Sequence, residues 1–139
     1  MYMNNFECES SDHGPGPFAA NIGRSAQFNN NFRTAFWTGC NLQMTLMSIP
    51  AYGDIGVEIH EDTDQYIRVE HGQAMVMLGE CENHLNMRQR LMQGDAVFVP
   101  AGIWHNVVNT GSSCLKLSSV YAPLHHPRGT VDRTKEDAY

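Results

Sequence analysis

The sequence predicts an all-β domain, either a sandwich or a barrel, and three features support this class. Short runs of β-forming residues follow one another from residue 32 onward, and Gly, Asp or Asn separates them. An architecture of alternating strands and helices requires amphipathic segments of about 10–15 residues between the strands, and no such segment lies between these runs. The length of 139 residues suits one domain with one core.

The predicted strands follow one another regularly, and a turn signal ends each of them. They are Phe32–Thr38, Leu42–Ile49, Ile55–His60, Gln65–Glu70, Ala74–Leu78, Ala96–Pro100, Trp104–Asn109 and Cys114–Tyr121. The polar segment Asn83–Gln93 is predicted as a connecting loop with room for a short strand. Only Thr134–Tyr139 has a helical pattern, and it is long enough for one turn.

This pattern divides the chain into three regions. Residues 1–30 are rich in Asn, Ser, Gly and Pro and are predicted to form an irregular N-terminal arm, which the cluster Gly14–Pro17 interrupts. Residues 31–124 form the barrel, and residues 125–139 form a C-terminal tail that contains the short helical turn. Open sheet edges and an extended arm favour a homodimer in which the arms are exchanged between subunits.

The composition excludes several classes of protein. The net charge of −6 does not suit a surface for nucleic acid or for an anionic membrane, which needs clustered Lys and Arg. The chain has no apolar run of about 18 residues, so no membrane span is predicted. The N-terminus lacks the basic and apolar segments of a secretory signal, so we expect the protein in the cytoplasm. The four cysteines are widely spaced and are expected to be free, reduced thiols.

The stretch Gly94–Asn109 carries the most specific motif of the chain. It fits G-x5-P-x-G-x2-H-x3-N with every fixed position filled. Pro100–Gly102 makes a tight turn out of one strand, and His105 lies near the start of the next. The stretch resembles the second motif of the cupin superfamily, whose fold is a double-stranded β-helix, or jelly-roll barrel. The resemblance covers residues 32–121 and implies that fold for this chain.

The stretch Gly53–Gly72 resembles the first cupin motif, G-x5-H-x-H-x3-4-E-x6-G, with two departures. Glu58 stands where the first His is usual, and Gln65 stands where the Glu is usual. Alternate residues of a strand share a face, so Glu58 and His60 are expected to point together into the barrel. In metal-binding cupins the corresponding four positions hold the ion. The resemblance therefore implies a metal site made of Glu58, His60, Gln65 and His105.

The predicted ligands favour a divalent ion bound by nitrogen and oxygen. Glu58, His60 and His105 give the two-His, one-carboxylate set of non-haem Fe(II) sites, and donors without thiolate suit Mn, Fe, Ni or Zn. Gln65 is a weak neutral donor that either coordinates loosely or hydrogen-bonds to a metal-bound water. Asp62 shares the strand parity of His60 and is the alternative oxygen donor. A metal-free polar pocket is the other interpretation of this cluster.

The expected function is metal-dependent chemistry on a small sugar or organic acid. The chain is most similar to small single-domain bacterial cupins, some of which are distantly like mannose-6-phosphate isomerase. Isomerase or lyase chemistry is favoured over that of a dioxygenase. Two alternatives stay open, a metal-free epimerase or isomerase in which His60 and Glu58 do the acid–base work, and a non-catalytic module that binds a small metabolite. The candidates for a general base are His71 at the barrel rim, His126, Tyr66 and Tyr121. The segment that carries His126 is either a cover over the barrel mouth or an ordinary exposed loop.

Overall fold

The computed structural model describes residues 12–139 and confirms the all-β architecture. The strands of this range are β1 (Arg33–Thr38), β2 (Gln43–Ile49), β3 (Asp64–His71), β4 (Gln73–Gly79), β5 (Met87–Met92), β6 (Ala96–Val99), β7 (Trp104–Asn109), β8 (Leu115–Ala122) and β9 (Val131–Asp132). Two short helices, α1 (Ile22–Phe28) and α2 (Lys135–Ala138), flank the strands. No helix in residues 12–139 is long and apolar enough to cross a membrane.

The strands form two antiparallel sheets that enclose one core. The larger sheet has the order β6-β3-β8-β2-β1-β9, and the smaller has the order β5-β4-β7. At one end of the barrel the inward side chains are apolar, as in Ile67, Val76 and Leu117. Towards the other end the same sheet is polar inside, because Gln65 lies opposite Tyr121 in the β3–β8 register and both are buried. The fold thus separates an apolar core from a polar interior.

Helix α1 corrects the prediction of a wholly irregular arm. Asn21 caps it, since its Oδ1 accepts a hydrogen bond from the backbone N–H of Arg24 at 2.9 Å. Ala26 is fully buried and packs against Phe36 and Leu46 on the outer face of the larger sheet. The seven-residue helix is too short to be stable alone, so this packing accounts for its formation. The described arm lies on its own barrel, and the homodimer with exchanged arms stays a prediction.

The predicted strand Ile55–His60 is wrong. The segment is irregular and makes only isolated bridges, one between Asp54 and Val108 and one between Glu58 and His105. Gly56 has φ = +89°, a conformation that no strand residue adopts and that glycine permits.

The short turn predicted in the tail is confirmed as α2, and the polar loop holds the complete strand β5.

The cysteines are in agreement with the expectation of free thiols where the structure describes them. Cys40, Cys81 and Cys114 are exposed and unpaired, and Cys8 lies outside the described residues.

The carboxylate of Asp12 fastens the arm to both β1 and the C-terminal tail. It accepts hydrogen bonds from the hydroxyl of Thr38 at 2.5 Å and from the backbone N–H groups of Thr38, Gly14 and Gly129 at 3.0, 3.1 and 3.0 Å. Burial raises the pKa of Asp12, but these hydrogen bonds outweigh it and leave that pKa below its ordinary value of 3.8. The ionised form is therefore the one that the fold stabilises.

We expect Asp12→Asn to lower the free energy of unfolding at pH 7 by about 2 kcal/mol, because a charged acceptor of several hydrogen bonds is lost. The folded pKa lies below the unfolded one, so the contribution is complete above pH 3.8 and disappears as the pH falls through the folded value. The difference between the wild type and the variant should then shrink below about pH 4 in urea unfolding. Asp62→Asn, on an exposed bend, is the control. A difference that is the same at pH 3 and pH 7 would contradict this role of Asp12.

Candidate metal centre

Two backbone segments bring the predicted ligands together. Glu58 and His105 exchange both of their backbone hydrogen bonds, each with an N···O distance of 2.9 Å. One residue pair further out, the N–H of Gly102 donates to the carbonyl of His60 at 2.9 Å. Gly102 has φ = +85°, which the turn before β7 requires and glycine allows. The irregular segment that carries Glu58 and His60 is thus fastened to the start of β7.

The side chains of Glu58, His60 and His105 converge inside the barrel. One ligand atom from each residue lies within 4.8 Å of the other two. Oε1 of Glu58 is 3.5 Å from Nε2 of His60, and the two imidazole rings are 5.3 Å apart between centroids. Metal bonds of about 2.0–2.2 Å place opposite donors about 4 Å apart, so adjustments of some tenths of an ångström suffice to surround one ion. The geometry fits a single divalent cation.

The imidazole of His105 is oriented as a metal ligand. Its Nδ1 lies 3.0 Å from the carbonyl of Ile103, which requires the hydrogen on Nδ1 and leaves the lone pair on Nε2. That Nε2 is buried and has no hydrogen-bond partner among the described residues. Burial lowers the pKa of His105 by more than the hydrogen bond to Ile103 and the charge of Glu58 raise it. The ring is therefore neutral at pH 7, the form that binds metals.

His60 offers a second unused imidazole. It is 7% exposed, and both of its ring nitrogens are buried without a hydrogen-bond partner in the described part of the chain. Because buried polar side chains are nearly always partnered, two adjacent rings with open nitrogens are compatible with a metal ion bound between them.

Gln65 faces the same polar interior from β3. Its side chain is buried, and Oε1 has no hydrogen-bond partner among residues 12–139. This placement is compatible with the weak fourth donor that the sequence predicts, and coordination by Gln65 stays a prediction. The alternative donor Asp62 is exposed in the bend that follows His60 and is not part of the cluster.

Two of the four candidate bases lie away from the cluster. Tyr66 alternates with Gln65 along β3, so it points to the outer face, where its ring packs on Phe98 at 5.0 Å. His71 is at the opposite end of β3 and contacts the carbonyl of Gly23 in α1 through Nε2 at 3.0 Å. The structure therefore does not bring Tyr66 or His71 to the ligand cluster.

Tyr121 and His126 do lie at the site. Tyr121 is 1% exposed, and its ring packs edge-on against His60 at 5.7 Å. Its hydroxyl is 3.3 Å from Nε2 of His126. Burial raises the pKa of Tyr121 to about 12, and burial followed by the charge of Arg33 lowers the pKa of His126 to about 3. Both groups are neutral at pH 7.

His125 covers the cluster from the solvent side, a role that the sequence indicated only through the His-His-Pro run after the last strand. Its ring packs on His60 at 4.1 Å between centroids, while its other side is exposed. Burial, followed by the charge of His60, lowers the pKa of His125.

Gln43 holds this cover in place from inside the barrel. Its Nε2 donates to the carbonyl of His126 at 2.8 Å, and its Oε1 accepts from the N–H groups of His125 and His126 at 3.2 and 2.9 Å. Gln43 is fully buried, so the segment after β8 is tied to the interior of β2.

Arg33 and Tyr139 also lie at the site, and the sequence predicted neither of them. Arg33 is 3% exposed, and its Nη2 is 3.6 Å from Oε2 of Glu58. Arg33 lies two residues before Ala35 on one strand, and alternate residues of a strand share a face. The inward direction of Arg33 could therefore have been inferred from that of Ala35. Tyr139 donates its hydroxyl hydrogen to Oε2 of Glu58 and also contacts the carbonyl of Ile55 at 3.1 Å. No sequence pattern pointed to Tyr139.

Comparisons with known proteins place this site in a family. The family described as the cupin domain matches residues 45–121. The uncharacterized protein YrkC of Bacillus subtilis is 52% identical over 127 residues, which are 91% of this chain and 68% of that protein. The uncharacterized protein L612 of Acanthamoeba polyphaga mimivirus is 34% identical over 83% of this chain and 71% of its own length.

A solved structure is similar over nearly the whole chain. The crystal structure of BH2720 from Bacillus halodurans superimposes with a TM-score of 0.91 at 49% sequence identity, covering 92% of this chain and 97% of that one. The family match runs from within β2 to within β8, the strands that build the polar interior, and both motifs contribute residues to the ligand cluster. This chain therefore belongs to the cupin domain family.

Proposed function

We propose that this protein binds one divalent metal ion through Glu58, His60 and His105, with Gln65 as a fourth, weaker donor. The observation that carries the proposal is the open, buried Nε2 of His105, which the Ile103 carbonyl orients towards the two other ligands. Nitrogen and oxygen donors without a thiolate suit Mn, Fe, Ni or Zn.

We further propose that the metal-bound protein acts on a small sugar or organic acid by isomerase or lyase chemistry. The chemistry that a bound divalent ion supplies is Lewis acidity towards a carbonyl or hydroxyl oxygen of the substrate. Among the chain's own groups, His125 is the best placed to move a proton, because its ring touches His60 and is open to the entering molecule on the other side. The hydroxyl of Tyr121 and the ring of His126 form a neutral polar wall behind it.

Metal content is the first measurement. Protein purified without an affinity tag should contain about one Mn, Fe, Ni or Zn per chain by elemental analysis, or should take up one equivalent on titration after chelation. A stoichiometry that stays below about 0.2 per chain under both conditions would rule out a resident metal.

The type of reaction is tested by proton exchange. Metal-loaded protein in D2O, incubated with hydroxy acids, keto acids and simple sugars, should place deuterium on the carbon next to the carbonyl or carboxylate of one compound class, as followed by NMR. Consumption of oxygen in place of exchange would show dioxygenase chemistry and contradict the proposal.

The metal-free alternative is supported by one observation, the 3.5 Å contact between Glu58 and His60, which is also the arrangement of an acid–base pair. The same exchange experiment distinguishes the two mechanisms. Exchange that survives complete removal of metal would favour the epimerase-like pair, and binding of a compound without exchange under any condition would favour a non-catalytic module.

A further inference from the structure

Arg33 is a buried cation with donor capacity to spare. It begins β1 opposite Met47, a residue of the apolar core, so its side chain points into the barrel. The guanidinium hydrogen-bonds to the hydroxyl of Tyr121, while its Nε has no hydrogen-bond partner in residues 12–139. The contacts of its Nη atoms with Glu58 and Asp132, at 3.6 and 3.8 Å, are ion pairs longer than ordinary hydrogen bonds.

Two neutral polar groups face the same interior and are also open. Ser119 precedes Tyr121 by two residues on β8 and shares its inward face, and its Oγ is buried without a partner in the described chain. Oε1 of Gln65, on the neighbouring strand β3, is likewise buried without a hydrogen-bond partner among the described residues. Buried hydroxyl and guanidinium groups are nearly always hydrogen-bonded in native proteins. These atoms together have the composition of a binding site for a polar ligand with an anionic end.

The charges of the site determine which sign of charge that ligand should carry. Glu58 and Asp132 each contribute one negative charge and Arg33 one positive charge, so the cluster alone carries a net charge of −1. A divalent ion at Glu58, His60 and His105 changes this to +1. A buried, uncompensated positive charge is unfavourable, and a monoanion neutralises it.

We propose that Arg33 anchors the carboxylate of the substrate, and that the site takes a small carboxylate with a hydroxyl or carbonyl oxygen on the adjacent carbon, a hydroxy acid or a keto acid. The planar guanidinium offers parallel N–H donors that match the two oxygens of a carboxylate. The single surplus positive charge suits a carboxylate better than a dianionic phosphate. The inference rests on the proposed metal site, because the ion creates the surplus charge.

The test measures the affinity for Mn²⁺, not catalysis. Free Mn²⁺ is followed by electron paramagnetic resonance, with and without lactate, and a protein-free titration corrects for the binding of lactate to Mn²⁺ in solution. Lactate should tighten Mn²⁺ binding to the wild type by about tenfold, since the two ligands compensate each other's charge. Propane-1,2-diol, which has no carboxylate, should have no effect.

The variants assign the effect to Arg33. In Arg33→Gln, lactate should no longer change the affinity for Mn²⁺, while binding of Mn²⁺ alone should be as tight as in the wild type or tighter, because a nearby cation is removed. That second result excludes a misfolded variant. Arg33→Lys keeps the charge without the planar pair of donors and should show a smaller effect of lactate. Arg90→Gln, on the exposed face of β5, removes the same charge elsewhere and should behave as the wild type.

Each result decides between the proposals. If Mn²⁺ binds and lactate tightens it equally in the wild type and in Arg33→Gln, the role of Arg33 is wrong and the metal site stands. If none of Mn²⁺, Fe²⁺, Ni²⁺ and Zn²⁺ binds to the wild type, with or without lactate, both proposals fail. If inorganic phosphate tightens Mn²⁺ binding more than lactate does, and only when Arg33 is present, the assignment of a carboxylate is overturned.

Discussion

Replacing His105 by leucine is expected to abolish metal binding, lowering the affinity by at least about 100-fold. The variant removes the one donor whose orientation the backbone fixes. Loss of a residue that only hydrogen-bonds to a metal ligand already costs about 10–100-fold in metal affinity. The side chain is fully buried, and leucine has a similar volume, so the fold should persist. Loss of the hydrogen bond to Ile103 should reduce the stability of the metal-free protein by about 1 kcal/mol.

Thermal unfolding provides the measurement. Metal at about 100 times its dissociation constant stabilises a folded protein by about 2.7 kcal/mol, so the wild type should unfold several degrees higher with metal than without it. His105→Leu should show no such increase. His84→Leu, the same change at an exposed position, should keep the full increase. An equal increase in wild type and His105→Leu would mean that the metal binds elsewhere.

Asn109→Asp is expected to destabilise the fold by about 3–4 kcal/mol, the largest effect on stability that we predict. The Nδ2 of Asn109 donates to the carbonyls of Ile49, Pro50 and Ser113 at 3.0, 3.0 and 2.9 Å, and its Oδ1 accepts from the N–H of Gly111 at 2.8 Å. A carboxylate has no hydrogens for the three carbonyls and repels their oxygens. The side chain is 1% exposed, so water cannot replace the lost donors.

The midpoint of thermal unfolding should fall by about 10 °C in Asn109→Asp. Asn109→Ala should also be destabilised, because it leaves the same carbonyls unpaired without adding repulsion. Asn86→Asp makes the same chemical change on an exposed residue and should shift the midpoint little. If Asn109→Asp unfolds at the same temperature as the wild type, the amide of Asn109 does not fasten the loops as the structure indicates.

The parts of the fold that the sequence predicted best are those with both a residue pattern and turn chemistry. The motif over Gly94–Asn109 placed β6, the tight turn and the start of β7 correctly, because glycine and proline restrict the backbone at defined positions. Strand β5 was harder to recognise. Five of its six residues are exposed, so alternation of polar and apolar residues, the usual sign of a strand, is missing.

Local pattern also could not predict elements that depend on tertiary packing. Helix α1 contains no strong helix-forming run and depends on the burial of Ala26 under the larger sheet. The irregular course of Ile55–His60 follows from the bridge between Glu58 and His105 and from Gly56, whose positive φ no periodicity reports.

The residues of the candidate site also differ in how far the sequence could predict them. Glu58, His60 and His105 were predicted from motif spacing, and the structure brings them together. The partners of these residues, above all Arg33 and His125, come from β1 and from the segment after β8, which contact the cluster only once the sheet is formed. Tyr66 and His71 lie away from the cluster, because a residue type does not by itself tell on which face or at which end of the strand its side chain lies.

The paired backbone of Glu58 and His105 leaves the choice of side chain open at both positions. Each of these residues is positioned by main-chain hydrogen bonds that any side chain permits. The chemical groups at these two places, and with them the charge of the cluster, can therefore change without a change in the backbone that carries them. At one of the two places this chain has Glu58, whose carboxylate lies 3.6 Å from the guanidinium of the buried Arg33 and so gives that cation an opposite charge.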